Sequence, residues 1–533
     1  MPAEDGTGSA PRAGVPGGSR RFGAESAPRL GPTHAAGPLA APPLRSFAAL
    51  LLRSFARPSG RPTGPAAVLP PVDGRPRADG RLLPVSTTGS QRPAQVSAAR
   101  RRTVIDALRR GAVPDSGLDL LATGLDRFEA ALDAELDAVA SGGSVFKAVR
   151  GEYGSGKTFF TRWLGERAKR RNFAVAEIQI SENETPLHKL ETVYRRLTER
   201  LTTSSFPPSA LRPVVDAWFY ALEEDALAAG ATAEELAGEV EKLLVARLAE
   251  VSRHAPSFAT ALRGYRAALA ADDEATAAAV LAWLGGQPHV AASARRSAGV
   301  RGDLDHFGAL GFLQGLLTVL RDSGHTGLFV VLDEVETLQR VRSDARDKAL
   351  NALRQLIDEV HSGRFPGLYL VITGTPAFYD GQQGAQRLAP LAQRLATDFT
   401  TDPRFDNPRA VQIRLPGFNQ ESLVGLGLTI RDLYAEAAEI PERVRNVVDD
   451  AYVADLAVAV GGSLGGKVGV APRLFLKKLV GDVLDRVDQF GDFDPRQHYR
   501  LTVVGSELTD IERNLATAVS GDCASADDID LEL

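Results

Sequence analysis

The chain has 533 residues, 44% hydrophobic and 24% charged, the proportions of an ordinary globular protein long enough for more than one domain. Its 62 lysines and arginines against 67 aspartates and glutamates leave a net charge of -5, which excludes a global attraction to nucleic acid or an anionic membrane; any such contact has to come from a local patch. A single cysteine, Cys523, excludes an internal disulfide and a cysteine-based zinc cluster, and no apolar run reaches the roughly 20 residues that span a bilayer, so a cytoplasmic protein without membrane contact is expected.

From Met1 to about Arg92, Pro, Gly, Ala, Ser and Arg predominate and no helical or strand periodicity is sustained, so residues 1–97 are expected to form a disordered extension. Its arginines could form an arm for nucleic acid or acidic partners. A spacer, or sequence upstream of the true start codon, is the preferred reading, because basic runs bind polyanions weakly without a defined surface. Helices are predicted near Ala98 to Gly111 and over about Leu125 to Ala140. The buried strand Ser144–Arg150 then leads into the loop Gly151-Glu152-Tyr153-Gly154-Ser155-Gly156-Lys157-Thr158, a helix to Arg171 and a second strand over Phe173–Ile180, a βαβ unit as a parallel sheet requires.

A large helical insertion follows at about residues 186–300, rich in alanine and leucine. Next come a core helix (Phe307 to Arg321), the strand Gly327–Asp333, a helix (Ser343 to Ser362), the strand Leu368–Thr373 and a closing strand, Ala410–Leu415. The ATPase core is therefore set at residues 98–415, followed by a helical lid over 416–508 and an acidic tail over 509–533. The expected fold class is α/β: a P-loop NTPase of AAA+ type, with a parallel sheet flanked by helices.

The full Gly-x-x-x-x-Gly-Lys-Thr spacing between a strand and a helix points to bound ATP. Successive backbone N–H groups of residues 151–156 can solvate phosphate because the glycines leave the approach open. Lys157 can reach the β- and γ-phosphates, and Thr158 offers a hydroxyl to Mg2+. The strand Phe329-Val-Val-Leu-Asp333-Glu334 supplies the complementary Walker B element, in which Asp333 would hold the metal and Glu334 would polarise the attacking water. Glu336, two residues further, reads as well as a solvated acid and is left outside the site. Thr373, with Thr375 close behind, sits where a sensor-1 hydroxyl is expected; an ordinary strand-end turn would look the same.

Two arginine features lie at a distance. Arg394 or Arg387 could serve as an arginine finger toward a neighbouring subunit, although solvated arginines on a helix are common. Arg473, in a Pro-started helix, could act as a sensor-2 arginine that closes the lid over ATP; a helix-start arginine with no ligand is the alternative.

Four segments together, Gly151 to Phe159, Gly327 to Leu338, Gly374 to Tyr379 and Ala471 to Phe475, resemble the ATP-binding BrxC/BrxD family of the BREX bacteriophage-exclusion systems, over about Ala98 to Leu508. By length the chain is more similar to the compact BrxD than to the much larger BrxC. The resemblance implies a bacterial cytoplasmic ATPase working beside other BREX proteins, including a helicase-like partner. It also implies restriction of phage DNA replication and DNA involvement. Two functions are compatible with the residues: an oligomeric ATP-driven remodeller acting on DNA or a DNA-bound partner, or a nucleotide-dependent switch that recruits defence partners with little turnover. A helicase in its own right is disfavoured, since no second core domain or helicase motif set is present.

Overall fold

The computed structural model describes residues 96–463 and 472–502. Apart from its last two residues, the extension expected over residues 1–97 lies outside the described residues, as does the tail expected over 509–533.

Two helices, α1 (Ala98–Arg109) and α2 (Asp126–Ala140), precede strand β1 (Val145–Arg150), and α3 (Lys157–Arg170) joins it to β2 (Ala174–Gln179). Between β2 and β3 (Leu328–Asp333) run α4 (Leu190–Arg200), α5 (Leu211–Ala228), α6 (Leu236–Arg247), α7 (Ala249–His254), α8 (Pro256–Ala270), α9 (Glu274–Leu284), α10 (Ala292–Ser297) and α11 (His306–Asp322). Helix α12 (Ser343–His361) leads to β4 (Leu368–Gly374), and α13 (Pro376–Asp380) and α14 (Ala389–Leu395) lead to β5 (Gln412–Arg414). The remaining helices are α15 (Gln420–Ala435), α16 (Pro441–Val447), α17 (Asp450–Ser463), α18 (Pro472–Lys477), α19 (Asp485–Gln489) and α20 (Pro495–His498).

The five strands form one sheet in the order β2-β3-β4-β1-β5, all pairs parallel. Every residue of β3 and β4 is buried, which is why both read as nearly unbroken apolar runs: helices cover the sheet on both sides. Side chains alternate between the layers with the strand period of two. Val149, Phe329, Val331 and Val371 pack against α2 and α3 through Phe128, Leu132, Phe160 and Trp163, whereas Ala148, Val330, Leu332 and Ile372 face the opposite cluster. Lys147 in the middle of β1 is buried, and its ammonium is satisfied by Glu135 at 2.5 Å and the Ala410 carbonyl at 2.7 Å.

The insertion is part of the same core as the sheet. The ring of Phe312 on α11 packs against Tyr194 of α4, Phe258 of α8 and Trp283 of α9 with centroids 5.8, 5.3 and 5.5 Å away. One turn on, Gly315 makes that approach possible, since a Cβ there would stand 2.6 Å from the Phe258 ring.

Helices α15 to α19 enclose a second cluster built on Leu423, Ile430, Val453, Phe475 and Leu479. Helix α1, expected to open the core at Ala98, buries Val104, Ile105 and Leu108 in this C-terminal helical cluster. Helical periodicity fixes an apolar face but not the element it meets. Arg109 secures the contact by donating to Asp485 through Nε at 2.6 Å and a terminal nitrogen at 2.9 Å. Phe159, beside the glycine loop, packs against both the C-terminal helical cluster and the sheet cluster.

Candidate nucleotide site

At the C-terminal end of β1 the chain turns through residues 151–156 into α3. Gly154 and Gly156 adopt left-handed φ values of 77° and 86°, and a Cβ on Gly151 would collide with Ser155 Oγ. Gly156 caps α3 without a side chain to accept its first N–H groups, so the cradle keeps the donors that an anion needs. The Ser155 hydroxyl is buried without a hydrogen-bond partner. Lys157 is only 9% exposed; its ammonium donates to the Gly151 carbonyl at 2.9 Å and to Glu152 O at 3.3 Å, and lies 5.1 Å from the centre of the Tyr153 ring. Burial, followed by Glu336, pushes the Tyr153 phenol above its ordinary range, with Arg340 opposing.

The order β3-β4-β1 brings the three expected parts of the site to adjacent strand ends. Thr158 Oγ1 donates to Asp333 Oδ2 at 3.1 Å. Asp333 Oδ1 accepts from the Thr373 hydroxyl and from Glu334 N at 3.1 Å, and Thr373 Oγ1 in turn accepts from Glu334 N at 3.0 Å. Pairing of Leu332 with Ile372 sets this register. Thr375 is buried one step further along, where its side chain makes no capping bond to α13.

Glu334 occupies a left-handed conformation, φ 60° and ψ 45°, which costs a non-glycine residue on the order of 1 kcal/mol. Its carboxylate accepts a 2.9 Å hydrogen bond from Gln179 Nε2. Gln179 ends β2 opposite Asp333, a position that residue order alone does not single out; the signal available was its place at the tip of the strand beside the one that ends at Asp333.

Glu336, which by sequence reads as well as a solvated acid and is left outside the site, is not solvated. The short helical turn Val335–Gln339 directs it inward, where it is 4% exposed and 3.7 Å from the Lys157 ammonium, with no hydrogen-bond partner on either carboxylate oxygen. Burial raises its carboxyl above the ordinary range against the pull of Lys157.

The distant arginines are held within the chain. Arg394 pairs with Asp358 of α12 and donates to Pro390 O at 2.6 Å; Arg387 pairs with Asp347 and donates to Ser343 Oγ at 2.8 Å, beside a shallow cavity of about 420 Å³. Arg473 stands in the first turn of α18, behind Pro472, with a guanidinium nitrogen 3.6 Å from where a Cβ of Gly111 would lie. Lys157, Thr158, Asp333, Glu334 and Thr373 are thus joined by direct contacts or adjacency, and Arg394 and Arg387 are engaged elsewhere.

The parallel sheet, with the glycine loop leading into α3 and Asp333 and Thr373 side by side, is the α/β P-loop arrangement expected from the sequence. Among the described residues no helix is long and apolar enough to cross a membrane. The ORC2 protein of Aeropyrum pernix, solved as ADPNP-ADP complexes, aligns with 12% identity over 68% of each chain and a TM-score of 0.31. At that score the likeness assigns nothing to this chain. No curated protein matches it. Residues 96–503, more than three-quarters of the chain, match the family described as BREX system ATP-binding protein BrxC/D, and the chain belongs to that family.

Proposed function

We propose that the chain is a hydrolysing AAA+ ATPase of a BREX defence system, closest in kind to BrxD, and that it acts on DNA or on a DNA-bound partner complex. The observation that carries the ATPase reading is the contact between the two half-sites: Thr158 bonded to Asp333 directly beside the buried Lys157 in its glycine cradle. Bound ATP with Mg2+ would supply a phosphoanhydride whose γ-phosphoryl can pass to water.

The chain's own residues divide the remaining work. The backbone N–H groups of residues 151–156 and the Lys157 ammonium neutralise phosphate charge. Thr158 Oγ1 and Asp333 Oδ2 already converge to 3.1 Å and offer the oxygen donors that Mg2+ prefers. Among the described residues no group of three or more His, Cys, Asp or Glu could hold a metal by itself, so a cation here would take its other ligands from phosphate and water. Glu334 orients and polarises water, and Thr373 fixes both Asp333 and the Glu334 backbone. Arg473 is the lid residue proposed to sense nucleotide. Arg394 could act as a finger in a homo-oligomer only by giving up its pair with Asp358.

One observation favours the second reading, a slow switch that recruits BREX partners such as the helicase-like component. The Glu334 carboxylate is held by Gln179, an arrangement that restrains the base from water until the bond opens. ATPase rates measured with and without DNA across protein concentrations separate the two. Stimulation by DNA is expected for a remodeller, and a steep rise with concentration for a site shared between subunits; a slow rate insensitive to both supports the switch. In equilibrium titration with a fluorescent ATP analogue, Lys157→Ala is expected to abolish binding, and equal affinity in this variant and wild type would overturn the site.

A further inference from the structure

Glu336 has no task in the chemistry described above, yet it is placed against the residue on which phosphate binding depends. Its carboxylate is 4% exposed, both oxygens lack a hydrogen-bond partner, and one of them lies 3.7 Å from Lys157 Nζ. That separation is a charge contact and too long for a hydrogen bond. Two of the three ammonium protons are already directed to backbone, at Gly151 O and Glu152 O. A buried carboxylate left in this condition carries a large desolvation cost, which a residue devoted to stability would avoid.

In its ionised form, which the Lys157 ammonium favours and burial opposes, this carboxylate lies close to the ammonium, shielded from salt, and acts on anything that binds there. It lowers the positive potential at the cradle and repels an incoming phosphate. It also attracts the same ammonium that the phosphate must engage.

We propose that Glu336 is an internal competitor for phosphate, which weakens nucleotide binding at residues 151–158 and speeds nucleotide release. This rests on the reading of those residues as an ATP site. The proposed chemistry does not require it: Asp333 and Glu334 already account for the metal and water functions, while Glu336 reaches past them to Lys157. The consequence for the cycle is that the protein would exchange ADP for ATP without depending on an external factor to loosen the P-loop.

The test uses the full chain with Glu336→Gln, which keeps the shape and removes the charge, and Glu336→Met, which removes the charge and any need for hydrogen-bond partners. Affinities for fluorescent ATP and ADP analogues, ADP release by stopped flow and the melting temperature of nucleotide-free protein are measured together. Both variants are expected to bind ATP and ADP roughly tenfold more tightly, to release ADP correspondingly more slowly and to melt no lower than wild type. Unchanged or weaker affinity in the folded variants, while wild type binds and Lys157→Ala does not, would overturn the competitor role and leave the ATP site intact. Lower melting temperatures with unchanged affinity would show an ordinary structural ion pair and also overturn it. If wild type itself fails to bind, the site assignment falls and the competitor role with it. Should one variant fail to fold, the other decides.

Discussion

The tips of β1, β3 and β4 and the aromatic core around Phe312 belong to one continuous α/β body, yet they are built on opposite terms. Around Phe312 the rings of Tyr194, Phe258 and Trp283 meet at ordinary contact distances, and the Tyr194 hydroxyl finds the Leu284 carbonyl at 3.2 Å. At the strand tips, Glu334 is left-handed, Ser155 Oγ and both oxygens of Glu336 lack partners, and Lys157 is turned onto backbone carbonyls. The insertion has unpartnered polar atoms and left-handed residues of its own, at Glu191, Arg195, Arg295 and Gln314 and at Ser209, Asp272 and His289; those of the strand tips are set apart by gathering around Lys157 and Asp333, where a ligand is expected to supply what the protein lacks. The difference separates residues kept for binding from residues kept for folding.

That separation can be broken or sharpened by three substitutions. Glu334→Gln keeps shape and removes the base, so turnover should fall by about 10²–10⁴-fold with ATP affinity retained, as read by steady-state hydrolysis beside equilibrium binding. A parallel loss of binding would mean that the two functions are not separable at this residue. Phe312→Ala should destabilise the fold by about 3–5 kcal/mol in urea unfolding, while nucleotide affinity in the folded fraction stays within a factor of a few. A large change in affinity would show that the insertion core is coupled to the phosphate end. Arg394→Ala removes a partly exposed ion pair with Asp358 and should cost no more than about 1 kcal/mol. Its diagnostic effect is on turnover: loss of activity at protein concentrations that favour assembly, with monomer stability nearly unchanged, would identify it as a finger.

Much of this site could be read from residue order. The strand before Gly151, the spacing to Lys157 and Thr158 and the apolar run ending at Asp333 are local features, and each falls where the sequence placed it. The helical character of the insertion was likewise visible in its alanine- and leucine-rich composition. What escaped depended on contacts between distant segments. Gln179 meets Glu334 only because β2 and β3 pair in one particular register. Glu336 is buried because a short helical turn rotates it off the surface, and nothing in an acid two residues past Glu334 announces that rotation. The packing of α1 with the C-terminal helices was hidden for a similar reason, since Val104, Ile105 and Leu108 declare a face without naming its partner. The closing strand is also shorter than its apolar run, Gln412–Arg414 in place of Ala410–Leu415, because β5 pairs only with β1 and over three positions.

Gly315 and Phe258 lie far apart in the chain, one on the helix that leads to β3 and one inside the insertion, and a side chain on the first would strike the ring of the second. Neither position is free to drift alone. In descendants of this sequence a larger residue at 315 should appear only with a smaller one at 258, and grafting the insertion into another member of the fold would require carrying α11 with it. The insertion and α11 are the two halves of an interlocked pair, and the unit to be moved in such a graft runs from α4 through β3.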